Sequence, residues 1–215
     1  RCGAAAAAKV HVIRDAVDAG AFAVADRRTG PRPRILSVGR LVEKKGHSVL
    51  LEALALLAAE DADFEAVIVG DGPERGRLEA LIARHGLADR VELRGAATLD
   101  VVRGLHATSD IFALASIIAA DGDRDGIPVS IMEAMAAGMP VVSTAVSGIP
   151  ELVNDAVGRL VEPGDAPALA HALGALLADP EARRRLGDAA VAEVTAKCNV
   201  AEAGRRLAAL FAATG

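Results

Sequence analysis

From Arg34 onward the chain alternates short apolar runs of strand length with longer runs whose apolar residues recur every three to four positions, and this alternation limits the fold more than any other feature. Ile35–Gly39 reads as the first strand. A helix follows from about His47 to Ala59, where Val49, Leu50, Ala53, Leu54 and Leu57 make one apolar stripe. Phe64–Val69 with a helix over Arg75–His85, and Val91–Gly95 with a helix over Leu99–Ala107, repeat the unit. Asp110–Ala115, Pro140–Thr144 and Gly158–Val161 add three strands, and helices over Pro167–Leu177, Pro180–Lys197 and Val200–Phe211 close the chain. The first strand is apolar enough to be buried on both faces, as a parallel-sheet strand must be. The expectation is an α/β, Rossmann-like doubly wound parallel sheet of about six strands, with ligands at their carboxyl ends.

Chemistry should then gather at those ends, and the sequence places polar and glycine-rich segments there. The first strand runs into Gly39-Arg40-Leu-Val-Glu-Lys44-Lys45-Gly46, a guanidinium and two ammonium groups ahead of a helix. No glycine precedes Lys44, so the ATPase phosphate loop is absent. The second strand ends in Gly70-Asp-Gly-Pro73, which with Gly76 is one position too long for the dinucleotide fingerprint and equally suits a tight turn. Asp125-Gly-Ile-Pro-Val-Ser-Ile-Met-Glu133 leads through a helix-like run, Ala134–Gly138, to the fifth strand and then to Ser147-Gly-Ile-Pro-Glu151. Two carboxylates bracketing a Gly, a Pro and a Ser beside a helix start offer polar ligands and free backbone N–H groups to an anion such as phosphate. Asp121-Gly-Asp-Arg-Asp-Gly126 invites a calcium reading, but a twelve-residue calcium loop would end on position 132, which is Met132. The five histidines have no ligand spacing and read as surface or core residues.

Composition removes several function classes. With 215 residues the chain fits one domain with an appendage, and 52% hydrophobic against 25% charged residues excludes a mainly disordered chain. Four Phe and no Tyr or Trp leave the core to Ala, Leu, Val and Ile and provide no stacking platform for bases. A net charge of -5 gives no footprint for nucleic acid. Cys2 and Cys198 lie at opposite ends without metal-like spacing, which fits a reducing compartment. No apolar run reaches the roughly 18 residues of a membrane span, and the first ten residues do not form a signal peptide.

The stretch from Asp125 to Glu151 resembles the nucleotide-sugar signature of retaining GT-B glycosyltransferases of family 4, the glycosyl transferases group 1. The match is carried by Asp125, Gly126, Pro128, Glu133, Ala134, Met135, Ala136, Gly138, Pro140, Val141, Val142, Thr144, Gly148 and Glu151. Gly39-Arg40-Leu and Lys45-Gly46 resemble the same family's basic loop, and Gly70, Gly95 and Ser116 fall on its loop positions. The departure is Asp125, where most members carry Glu, one methylene longer. The resemblance implies a catalytic set of Arg40 and Lys45, neutralising the donor diphosphate, with Asp125 on the donor sugar. It implies substrate binding by Gly39, Gly70, Gly95, Asp125, Gly126, Pro128, Ser130, Ile131 and Glu133. Backbone N–H groups of Ser130 and Ile131 would meet the phosphates and Glu133 the ribose. Lys44 reads as solvent-facing and Glu151 as support. No metal or other cofactor is expected, the donor being a UDP- or GDP-sugar.

The resemblance also divides the chain. Residues 1–33 read as a remnant of an N-terminal acceptor domain with a linker at Arg27–Pro33, matched by Val17, Asp18 and Phe22. A helix end or a disordered start at Ala4–Ala8 and a short strand at Lys9–Ile13 belong to it. Residues 34–198 read as the donor domain, and residues 199–215 as a C-terminal helix. Its partners would be a nucleotide sugar, the missing acceptor-binding domain and a glycan or lipid-linked acceptor. The final helix, with Val200, Ala203, Leu207, Leu210 and Phe211 on one face, would cover itself in a weak homodimer or on its own core. The expected setting is cytoplasmic, peripheral to the inner membrane face, and the chain alone would not transfer sugar. A UDP-sugar epimerase half and a stand-alone nucleotide-binding module are the alternatives, and the missing dinucleotide fingerprint disfavours a dehydrogenase.

Overall fold

The computed structural model describes residues 10–24 and 30–214. The expectations for Ala4–Ala8, Lys9 and Arg27–Thr29 lie outside them. Among the described residues the sheet has six strands, all parallel, in the order β3-β2-β1-β4-β5-β6. These are β1 (Arg34–Val38), β2 (Glu65–Val69), β3 (Val91–Gly95), β4 (Ile111–Leu114), β5 (Val141–Thr144) and β6 (Gly158–Val161). The helices are α1 (Ala19–Phe22), α2 (His47–Ala59), α3 (Arg75–Arg84), α4 (Leu99–Ala107), α5 (Val129–Ala136), α6 (Ile149–Leu152), α7 (Ala166–Ala178), α8 (Pro180–Lys197) and α9 (Val200–Thr214). The order reverses between β1 and β4, the switch point at which doubly wound sheets open a crevice.

Alternate residues of each central strand feed two cores. Ile35, Ile68, Ile111 and Val142 face α2, α3 and α7, while Leu36, Val67, Phe112 and Val141 face α5 and α8. Burial on both faces is why these strands read as unbroken apolar runs. The aliphatic core has additions that composition did not foretell: Phe22, Phe64 and Phe112 are buried, as are Met132, Met135 and Met139.

Two elements differ from the sequence reading in ways that shape the site. The helix read at Ala134–Gly138 begins at Val129, because Pro128 (φ -60°, ψ 129°) sets the entry angle and burial of Ile131 and Met132 outweighs the modest helix propensity of β-branched residues. Glu133 therefore sits in the second turn, too far along to owe its place to the helix dipole. The Ser147–Glu151 loop contains the one-turn helix α6, too short for any periodicity to reveal.

Residues 10–13 form no strand, contrary to the reading of Lys9–Ile13. The segment after them is attached all the same: Val17 donates its N–H to Cys198 O at 2.9 Å, Asp18 caps α1 through its side chain, and Phe22 packs edge-on to His106 at 5.7 Å. On α9, Val200, Leu207 and Phe211 are 50%, 46% and 69% exposed, so the apolar stripe is not a buried one. No described helix is long and apolar enough to cross a membrane.

Candidate functional site

The carboxyl ends of β1, β2 and β3 are drawn tightly together. Gly39 N–H donates to Val69 O and Gly70 N–H to Gly95 O, each at 2.9 Å. Gly70 has φ 145°, and a Cβ there would lie 1.9 Å from Gly39 O, so the approach of the β1 and β2 ends requires glycine. Gly95 continues the ledge at φ 82°. Three segments sequence reading assigned to one ligand are thus adjacent.

Beyond Gly39 the chain makes a 3₁₀ turn, Glu43–Lys45, and enters α2 through Gly46. Arg40 is exposed and pairs with no carboxylate among the described residues. The Lys45 stem lies against Gly39, and its Nζ is 2.7 Å from Asp125 Oδ2. Both side chains are mostly buried, at 13% and 15% exposure. The carboxylate expected on a sugar is in this structure the counter-ion of the lysine expected on phosphate, as its short stem and the proximity of the two loops dictate.

Lys44 differs from its reading as solvent-facing. Its Nζ is 3.0 Å from Asp123 Oδ2 and 3.6 Å from Asp125 Oδ1, and its carbonyl accepts Ile117 N–H at 2.9 Å. The hydrogen bond to Asp123 raises the Lys44 pKa, and the same bond lowers that of Asp123. Glu43 Oε1 accepts Ala120 N–H at 3.4 Å, so residues 117–125 are tied to the basic turn by backbone and side chain. Asp123 and Asp125 thus serve lysines while Asp121 accepts the Asp123 N–H, and among the described residues no three acidic, His or Cys side chains gather as a metal cluster would require.

The N-terminus of α5 completes the arrangement. Pro128 is the cap residue and supplies no side-chain hydrogen bond. Ile131 N–H donates to Pro128 O at 3.0 Å and its side chain is fully buried, so it is not available to a ligand as the sequence suggested. Val129 and Ser130 N–H groups have no acceptor among the described residues. Two unpaired donors at the positive end of a helix, shortly after the Asp125 that pairs with Lys45, are suited to an anion. Gly126 precedes this helix start, and a Cβ on Gly148 would meet Ile127 Cγ1 at 2.9 Å, which brings the β5–α6 loop against it. Ser147 in that loop holds a left-handed φ of 50°.

One turn along α5, Glu133 is half-buried. Burial raises its pKa, and the charge of Arg103 on α4 partly offsets this. Arg103 also lies 5.3 Å over the Phe22 ring. Sequence reading passed over Arg103, since nothing local links α4 to α5. Behind the basic turn, His47 is 3% exposed and neither ring nitrogen has a hydrogen bond of normal geometry. Desolvation pushes it down to about 4, with the carbonyls of Gly39 and Arg40 pulling the other way and the charge of Lys45 adding to the depression. Glu151 turns from the ledge: its carboxylate pairs with Arg14, and its carbonyl accepts Lys197 Nζ at 2.8 Å.

The sequence and the fold are similar to those of known proteins. Residues 24–192 match the family described as Glycosyl transferases group 1. The chain is 45% identical over 169 residues to a protein named as a colanic acid biosynthesis glycosyltransferase, WcaL, of Escherichia coli (strain K12), an alignment covering 78% of this chain and 42% of that protein. It superposes with a TM-score of 0.82 and 28% identity on a sucrose-phosphate synthase from Thermosynechococcus elongatus, covering 95% of this chain and 52% of the other. For HepE of Anabaena in complex with UDP and glucose, the TM-score is 0.80 at 25% identity, with 94% of this chain and 56% of that one covered. The chain spans about half the length of the relatives it matches. A Rossmann-like sheet in the GT-B manner and a family match over most of the length make this chain a member of the group 1 glycosyltransferases.

Proposed function

We propose that this chain is the donor-binding domain of a retaining glycosyltransferase that moves a sugar from a UDP- or GDP-sugar to a glycan or lipid-linked acceptor. The observation that carries the reading is the placement of Arg40 and Lys45 after β1, and of the uncapped N–H groups of Val129 and Ser130 after the β4 loop, on the two strands that flank the sheet's switch point, with Lys45 paired to Asp125 of that loop. Charge builds on the departing nucleoside diphosphate in the transition state, and fixed cations with a helix N-terminus stabilise it more than they stabilise the bound donor. Arg40 supplies a planar fork and Lys45 a point charge, so no metal is required for that task. Glu133 takes the ribose hydroxyls with two acceptor oxygens, and Asp125, once released from Lys45, reaches the sugar. The ledge is open, and an acceptor must be held against it by a second domain before attack becomes effectively unimolecular. Binding without transfer is the expected behaviour of the chain alone. The colanic acid biosynthesis protein and the complex with UDP and glucose support a biosynthetic role on a sugar donor.

Glu133→Gln tests the reading at the ribose. The variant should bind uridine and UDP about tenfold more weakly, the lower end for losing a hydrogen bond to a charged group. Because the Glu133 pKa is raised, acidification protonates it earlier than an ordinary glutamate. Wild-type uridine affinity should therefore decline on the acidic side while that of the variant stays flat. Calorimetric titration at neutral and mildly acidic pH checks both, and unchanged uridine binding by the variant removes Glu133 from the ribose.

A further inference from the structure

We propose that Lys44 is a positioning residue for the donor: it takes over Asp125 when the incoming diphosphate displaces that carboxylate from Lys45. The inference rests on the donor-binding reading and adds an exchange of ion-pair partners to it. Lys45 Nζ cannot serve a phosphate while it holds Asp125 at 2.7 Å, and a phosphate placed beside that carboxylate would meet a like charge in a largely desolvated setting. The Asp125 side chain is 15% exposed, so leaving it unpaired is also unfavourable. The loop cannot carry it far, because Ile117 and Ala120 are hydrogen-bonded to Lys44 O and Glu43 Oε1.

The cation within reach is Lys44. It already lies 3.6 Å from Asp125 Oδ1 and is held there by Asp123 at 3.0 Å. A small rotation of the Asp125 side chain toward Lys44 releases Lys45 to the diphosphate and leaves Asp125 ionised beside the sugar position. The same pairing offsets the short reach of aspartate by fixing which way the carboxylate turns. Asp123 is then the anchor that keeps Lys44 in place, at the expense of competing for it.

A double-mutant cycle on UDP affinity isolates this exchange. Lys44→Met should weaken UDP about fivefold in the otherwise wild-type chain, and Lys44→Arg should restore it, the coupling being of the size measured for contacting charges. Asp125→Asn should tighten UDP severalfold by freeing Lys45, and adding Lys44→Met to it should change UDP affinity by less than about twofold. Asp123→Asn, on the exposed loop, should tighten UDP modestly by releasing Lys44. Uridine binding should be indifferent to all four. An equal loss from Lys44→Met in both backgrounds would make Lys44 a direct phosphate ligand and overturn the exchange, as would no loss in the wild-type background. Equal affinity of the unmodified chain for UDP and uridine would instead defeat the donor-binding reading, and the exchange with it.

Discussion

Gly46→Ala is expected to destabilise the chain by about 3 kcal/mol or more, lowering the melting temperature by roughly 10 °C at this size. Gly46 ends the 3₁₀ turn that carries Lys44 and Lys45 and also caps α2, and its φ of 63° disfavours any residue with a Cβ. The larger obstacle is steric. A Cβ at this position lies 1.7 Å from Ala115 O, on the backbone just after β4, and neither partner is the end of a flexible side chain. The turn or the strand end must move, and Lys45 moves with it, so UDP binding should fall beyond the loss of stability. Urea denaturation of the two proteins measures the first effect. A loss below about 1 kcal/mol would mean that the turn relaxes freely, which a site preorganised for phosphate should not do.

The second large effect is on acid stability and comes from His47. Its proton is bound far more weakly in the folded chain, at about 4 against 6.5 for a free histidine, because burial excludes the charged form. With the folded pKa depressed, His47 leaves stability intact above the unfolded value and subtracts from it as pH falls from 6.5 toward 4, by roughly 3 kcal/mol in full. The polar groups around it, the Lys45 ammonium and the carbonyls of Gly39 and Arg40, belong to the basic turn after β1. Acid should therefore loosen this loop before the rest of the sheet. His47→Gln should remove most of the fall in unfolding free energy between pH 7.5 and 4.5 seen in the wild type, whatever its effect at neutral pH. Parallel acid slopes in the two proteins would show that His47 titrates normally.

How far the sequence could be read depends on the range of the interaction. Strands and most helix limits follow from local apolar period, and α2 runs from His47 to Ala59 as its stripe indicates. Positions with a backbone requirement were also legible: Gly39, Gly70, Gly95, Pro128 and Ser130 meet at one end of the sheet. Side-chain pairings across loops were not. Lys44 reads as a surface lysine because its partners Asp123 and Asp125 are distant in the chain, and nothing local announces Asp125 as the counter-ion of Lys45. The 3.0 Å bond from Ile131 N–H to Pro128 O is a one-residue detail of helix entry that spacing does not encode either. Arg103 and His47 act through burial and field, which spacing does not encode.

The central claim is that the ends of β1 and β2 and the start of α5 form a cradle for a nucleoside diphosphate. Calorimetric titration of the chain with UDP and, in parallel, with uridine tests it most directly. Contacts from Arg40, Lys45 and two backbone N–H groups predict UDP bound at least about tenfold more tightly, since one charge-assisted hydrogen bond is worth 1.5–3 kcal/mol. That advantage should shrink with added salt. Equal affinities for UDP and uridine would contradict the account.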